Sequence, residues 1–144
     1  MSQSVFDVIV IGAGPGGYVA AIRCAQLGLK TAVIEREHMG GICLNWGCIP
    51  TKAMLRSAEV FHLMHRANEF GLNAEKISFD LNAVIKRSRG ISKQLNQGVT
   101  HLLKKNKVKS FIGDATILEK GKVKVDKNDN SEELSCSNII IASG

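Results

Sequence analysis

Two cysteines set five positions apart, Cys43 and Cys48, are the residues in this chain best suited to carry chemistry. They lie in Gly40 to Lys52, GGICLNWGCIPTK, with Gly47 between them and Pro50 just beyond. A thiolate is a nucleophile and a metal ligand, and two of them can exchange an electron pair by closing to a disulfide. In an ideal helix this spacing would hold the Cα atoms about 8.7 Å apart. A disulfide bridges at most roughly 7 Å, so closure requires a local break, which a glycine and a proline can supply. A helix start nearby would lower a thiol pKa through the positive end of its dipole. Two inert buried thiols remain an alternative at this point. Zinc is disfavoured, because His38, His62, His65 and His101 supply no second ligand pair of suitable spacing, and no metal site is assigned.

The second group is Gly12, Gly14 and Gly17 within GAGPGG, where Ala13, Pro15 and Gly16 complete the run. Glycines at this spacing allow a tight turn, close approach of backbone to a pyrophosphate, and close packing of helix on strand. The N–H groups at the helix start then stabilise phosphate charge. Glu35 follows Gly17 by 18 residues, where an acid can hydrogen-bond ribose hydroxyls. An acid there favours an unphosphorylated ribose, hence FAD or NAD rather than NADP. The motif does not separate the first two.

These residues need a scaffold, and the apolar pattern supplies one. Val5 to Ile11 is a short apolar run ending at the glycines, which predicts a strand buried on both faces of a parallel sheet. Tyr18, Ala21, Ile22, Ala25 and Leu27 then recur at helical spacing up to Gly28, a suitable left-handed cap. Thr31 to Ile34, ending at Glu35, completes a β-α-β unit. After the glycine-cysteine stretch a helix is expected to about Phe70, with Met54, Leu55, Ala58, Phe61, Leu63 and Met64 buried. A second long helix is expected from about Asp80 to Lys105, with Leu81, Val84, Ile85, Ile91, Leu95, Val99, Leu102 and Leu103 as its apolar positions and Gly90 and Gly98 weakening its continuity. Short strands follow at Val108 to Ile112, Ala115 to Leu118, Lys122 to Val125 and Asn138 to Ile141, with a turn at Asp126 to Asn130. The fold class expected is α/β: a Rossmann-like domain with a parallel sheet, a helical excursion and a small antiparallel β-meander.

Bulk properties exclude several classes. The 144 residues suit one domain, and 44% hydrophobic with 22% charged residues is a globular composition. The net charge of +6 is scattered, and the lysines at 104, 105, 107 and 109 lack the interleaved aromatics that stack bases, so no nucleic-acid partner is expected. No apolar run approaches the roughly 20 residues that span a bilayer, and the leader from Met1 to Ser4 has no room for a signal segment. The chain therefore reads as soluble and cytoplasmic, where a close cysteine pair is reactive more often than structural. Its stop at Ile141 to Gly144, just after a buried-looking strand, reads as a piece of a longer protein.

A dinucleotide fold followed within ten residues of its second strand by GGICLNWGCIPTK resembles the pyridine nucleotide-disulfide oxidoreductases, over essentially the whole chain. CLNWGCIPTK is more similar to the dihydrolipoamide dehydrogenase branch than to glutathione reductases or mercuric reductases. The resemblance implies that residues 1–144 form an FAD-binding domain, and that the NAD domain and interface domain lie outside the chain. It implies that Gly12 to Gly17 and Glu35 hold the ADP half of FAD, with Arg36 and the Gly40 and Gly41 turn nearby. Ala115 would meet the adenine, and Ser143 and Gly144 would begin a second FAD contact. Cys48 would face the flavin, Cys43 would exchange with the dithiol substrate at the edge of the cofactor site, and Lys52 would sit near the flavin ring. The whole protein would then be a homodimer that oxidises dihydrolipoamide on the lipoyl domains of 2-oxo acid dehydrogenase complexes, with NAD as acceptor. A non-catalytic dinucleotide-binding module is the reading from another class.

Overall fold

A computed structural model describes residues 4–128 and 130–144. Met1 to Gln3, most of the short leader, and Asp129, one residue of the expected turn, lie outside the described residues. The elements run β1 (Ser4–Ile11), α1 (Pro15–Gln26), β2 (Thr31–Glu35), α2 (Gly41–Asn45), α3 (Cys48–His65), a 3₁₀ turn (Ala67–Phe70), α4 (Leu81–Lys105), β3 (Lys109–Ile112), β4 (Asp114–Glu119), β5 (Lys122–Lys127) and β6 (Asn130–Ile141). The strands form one six-stranded sheet in the order β3-β2-β1-β6-β5-β4.

The expected parallel sheet is present but mixed. β1 pairs in parallel with β2 and β6, and β2 with β3, whereas β4, β5 and β6 pair antiparallel. The meander is therefore an extension of the main sheet. β6 makes the join, because Leu134 is in register with both Ser4 of β1 and Val123 of β5. Its length corrects the expectation of a strand beginning at Asn138. Residues 130–137 are strand as well, and Asp126 and Lys127 belong to β5, so of the described residues in the expected turn only Asn128 lies outside a strand. The polar run SEELSCS conceals an alternation in which Leu134 is buried and its neighbour Glu133 faces water.

Alternation along β1 and β2 builds two cores. Val8, Val10 and Val33 pack with Ala21 of α1, Leu44 of α2 and Val99 and Leu103 of α4. Ile9, Ala32 and Ile34 point the other way, onto Val123, Val125 and Leu134 of the antiparallel ribbon. Strands covered on both faces have no use for polar residues, which is why these runs read as continuous apolar sequence.

The helices differ from expectation in what they bury. α3 buries Pro50 and Ala53, while Met54, Leu55, Leu63 and Met64 are exposed and Phe61 is half-buried. In α4 only the C-terminal part reaches the core, through Val99 and Leu103; Leu81, Ile85, Leu95 and Leu102 are exposed. The reason is geometric: α3 and the first half of α4 pack on each other away from the sheet, so their apolar faces have no layer above them. α4 is nonetheless continuous through Gly90 and Gly98. Its first turn is capped by Asp80, whose carboxylate accepts from the N–H groups of Asn82 and Ala83 at 2.8 and 3.2 Å.

Candidate functional site

The carboxyl ends of β1, β2 and β6 converge, and a cleft opens there, between strands whose connections diverge to opposite sides of β1. Gly12 follows β1 with φ +95°, and a Cβ on it would stand 2.2 Å from the carbonyl oxygen of Ala142. The turn therefore requires glycine for conformation and for space. Gly17 has a different reason: a Cβ there would lie 1.8 Å from the oxygen of Gly12, so glycine alone lets α1 lie against the strand end. Gly14 differs from both, since a Cβ on it would meet nothing within 4 Å. It is the N-cap of α1, where no side chain caps the helix and no acid occupies the first turn. The N–H groups at this helix start are thus left to an external anion, and an open face beside them is what a pyrophosphate needs.

Glu35 ends β2 and binds backbone. One carboxylate oxygen accepts from the N–H of Ala13 at 2.8 Å, the other from the N–H of Glu37 at 3.0 Å. Ala13 is fully buried, so Glu35 satisfies a donor that water cannot reach. The acid holds the glycine loop to the end of β2, a role its spacing did not reveal, and each oxygen keeps a lone pair for a further donor.

The cleft has two lobes that share Gly12, Glu35, Arg36 and Ser143. One extends past Gly113 and Asp114 to Ala115, where β3 passes into β4. The other extends past Gly14, Pro15 and Gly41 to His38, Ile42, Cys43 and Trp46, with Ala142 and Gly144 on its far side. Of the residues singled out from sequence, Gly12, Gly14, Pro15, Glu35, Arg36, Gly41, Cys43, Ala115, Ser143 and Gly144 are brought to this one surface. Ala13, Gly17 and Gly40 are buried behind it, and Gly16, Cys48 and Lys52 lie outside its lining. Sequence reasoning missed Ile11, Gly113, Asp114 and the His38–Trp46 ring pair, whose centroids are 5.2 Å apart. The glycine directly after β3 was a readable signal for the first lobe, and nothing local marked His38.

The cysteines stand on different helices. Cys43 is within α2, and Cys48 is the first residue of α3, with the chain broken at Trp46 and Gly47. This is the local departure from a continuous helix that a five-residue spacing requires, and it falls at the glycine. Both thiols are free; Cys43 is half-buried and Cys48 exposed. The expectation of a lowered thiol pKa is reversed at Cys43. Its interaction with the Cys48 thiol raises it first and burial adds to this, while the Cys48 backbone N–H and then the nearby Lys52 ammonium offset only part.

Both helices are fastened to α4. Asn45 donates to the carbonyls of Met39 and Gly41 at 3.1 and 2.8 Å, and Asn96 donates to the Met39 carbonyl as well. Arg89 donates to the Asn45 carbonyl at 2.9 Å. On α3, Arg87 donates to the Ala53 carbonyl at 2.7 Å and Ser88 to that of Pro50 at 3.1 Å. None of these cross-links was legible from spacing.

Among the described residues no cluster of His, Cys, Asp and Glu could hold a metal ion, and no helix is long and apolar enough to cross a membrane. His62, His65 and His101 lie exposed on helices, away from the cleft. The fold is that of the HOCl-induced flavoprotein disulfide reductase RclA from Escherichia coli, with a TM-score of 0.81 at 24% identity over 100% of this chain and 29% of that one. A dihydrolipoyl dehydrogenase of Zymomonas mobilis is 53% identical over 140 residues, covering 96% of this chain and 30% of that protein. Another, from Rhizobium etli, is 58% identical over 129 residues, 89% of this chain and 27% of that protein. A third, from Chlorobaculum parvum, is 49% identical over 144 residues, 99% of this chain and 31% of that protein. The chain thus spans about 30% of the length of these relatives. The model of the pyridine nucleotide-disulphide oxidoreductases matches residues 6–144, strand, glycine turn and cysteine pair together, and the chain belongs to that family.

Proposed function

We propose that residues 1–144 are the FAD-binding domain of a dihydrolipoamide dehydrogenase, the NAD and interface domains being supplied by sequence outside this chain. The observation that carries the reading is one surface on which a dinucleotide turn, an acid at the end of β2 and the Cys43 thiol, with Cys48 as its neighbour, meet. The relatives named dihydrolipoyl dehydrogenase support the choice within the family.

In this reading Gly12 to Gly17 and the start of α1 receive the pyrophosphate, and Glu35 uses its remaining lone pairs on ribose hydroxyls. Arg36 and the Gly40 and Gly41 turn flank the same lobe, Ala115 borders the adenine, and Ser143 and Gly144 close the far wall. FAD held there would supply an acceptor for the electron pair of the reduced cysteine pair, with NAD⁺ as the final acceptor. The chain's own part is thiol–disulfide exchange. A substrate thiolate attacks Cys43 of the Cys43–Cys48 disulfide, and Cys48 leaves as thiolate. The second substrate thiol, once deprotonated, then displaces Cys43, so the substrate dithiol becomes a disulfide as the cysteine pair becomes a dithiol. Lys52 holds positive charge beside the pair. The substrate would be the lipoyl domains of 2-oxo acid dehydrogenase complexes, in the cytoplasm. The uncovered apolar faces of α3 and α4 support burial against further domains and a homodimer partner.

The test is made on the purified full-length protein. Expected are flavin absorbance, NAD⁺ reduction by dihydrolipoamide, and loss of turnover in both Cys43→Ser and Cys48→Ser. Turnover retained in either variant refutes the exchange. Bound nucleotide with two thiols that never oxidise would instead make the domain a non-catalytic binding module.

A further inference from the structure

Behind the His38–Trp46 wall of the cleft lies a second cavity of about 290 Å³, lined by His38, Asn45 and Trp46 on one side and by Arg89, Ser92, Lys93 and Asn96 of α4 on the other. The four α4 residues follow three- and four-residue spacing and so form one stripe of the helix. Two of them are cations one turn apart, a like-charge pairing that costs helix stability unless an anion lies between them. No acid lines the cavity. Among the described residues, neither Arg89 nor Lys93 belongs to an ion pair. Arg89 uses one nitrogen to hold the Asn45 carbonyl, and among the described residues its other donors make no side-chain hydrogen bond.

The independent sign of a ligand is Ser92. It is 5% exposed, lines this cavity, and its hydroxyl is the one buried side-chain polar atom among the described residues that has no hydrogen-bond partner. A buried hydroxyl without a partner is costly, and on a residue that lines a cationic pocket it can serve as a donor to an anion that reaches it. We propose that this cavity binds a small oxyanion of the phosphate class, with Arg89 and Lys93 supplying charge and Ser92 a hydrogen bond from the floor. The site is separate from the cleft that takes the pyrophosphate, since the two share only the His38 and Trp46 rings as a partition.

The experiment uses the full-length protein loaded with FAD, so that the pyrophosphate cleft is filled. Inorganic phosphate is titrated by calorimetry at constant ionic strength, chloride replacing it in the control. Saturable binding is expected, with Arg89→Gln and Lys93→Gln each weakening it roughly 10-fold or more, the size of a lost charge-assisted hydrogen bond. Ser92→Ala, which strands no partner within the protein, should weaken it about 5-fold. Phenyl phosphate is the second arm. Binding of both ligands assigns a phosphate monoester whose substituent leaves through the open mouth, and binding of inorganic phosphate alone assigns the free ion. No saturable phosphate binding up to about 10 mM, a concentration that would reveal even a millimolar site, overturns the proposal. So does an affinity that is the same in all three variants.

Discussion

Replacing Glu35 by alanine should destabilise the protein even when no cofactor is present. The side chain accepts two backbone N–H groups, from Ala13 at 2.8 Å and Glu37 at 3.0 Å, and the two losses differ in cost. Glu37 is exposed, so water replaces its partner and little is lost. Ala13 is fully buried, so its N–H would be stranded, at about 1–3 kcal/mol for an unsatisfied buried group. A loss near 2 kcal/mol with a urea slope of about 2 kcal/mol per M corresponds to a midpoint lowered by about 1 M. Glu35→Gln keeps an acceptor for Ala13 but opposes its own N–H₂ to that of Glu37, and should lose about half as much. The assay is urea unfolding of full-length apoprotein, paired with amide exchange at Ala13, which should lose protection in the alanine variant. FAD affinity should fall as well, by about 1–3 kcal/mol, measured separately on folded protein. An apoprotein midpoint and an Ala13 exchange rate both unchanged by Glu35→Ala would refute the claim that this acid holds the glycine loop.

Gly17→Ala, with its Cβ driven to 1.8 Å from backbone, should fold poorly or bind no FAD, whereas Gly16→Ala, with open space, should be near neutral in folding; circular dichroism and flavin content decide. Ser88→Ala removes the partner of the Pro50 carbonyl and should cost about 1–2 kcal/mol in denaturant unfolding. In reduced apoprotein, limiting iodoacetamide should label exposed Cys48 before half-buried Cys43, whose thiol is also pushed up; mass mapping of the adduct tests the order. Cys43 binds its proton more tightly folded than unfolded, so the unfolded chain releases that proton first as pH rises. Stability of the reduced protein should therefore fall as pH climbs through the ordinary thiol range towards the raised value, and Cys48→Ala should flatten that fall in thermal melts.

The glycine turn and the two strands beside it were legible because each constraint on them is local. A buried parallel strand excludes polar residues, and a turn at φ +95° excludes side chains, so both leave a mark at single positions. The need for a break between Cys43 and Cys48 was legible for the same reason, as plain helix geometry. The first half of β6 was not, since its buried Leu134 sits among residues that face water on the other side of a ribbon. Exposure of Met54 and Leu55 was illegible too: helical spacing reports an apolar face but not whether a layer covers it. Glu35 is the instructive middle case. Its spacing from the glycines was readable, while its bond to Ala13 depends on where the loop closes in space.

α4 gives the cysteine pair a common datum. The helices that carry the two sulfurs touch each other, and each is also gauged separately from one bar of 25 residues. Arg89 and Asn96 locate one piece, Arg87 and Ser88 the other. Positional error between the sulfurs is then the sum of two short offsets from a stiff rule, and it does not accumulate along the intervening loop. A shift of register in the bar by a single residue would misplace both sulfurs together.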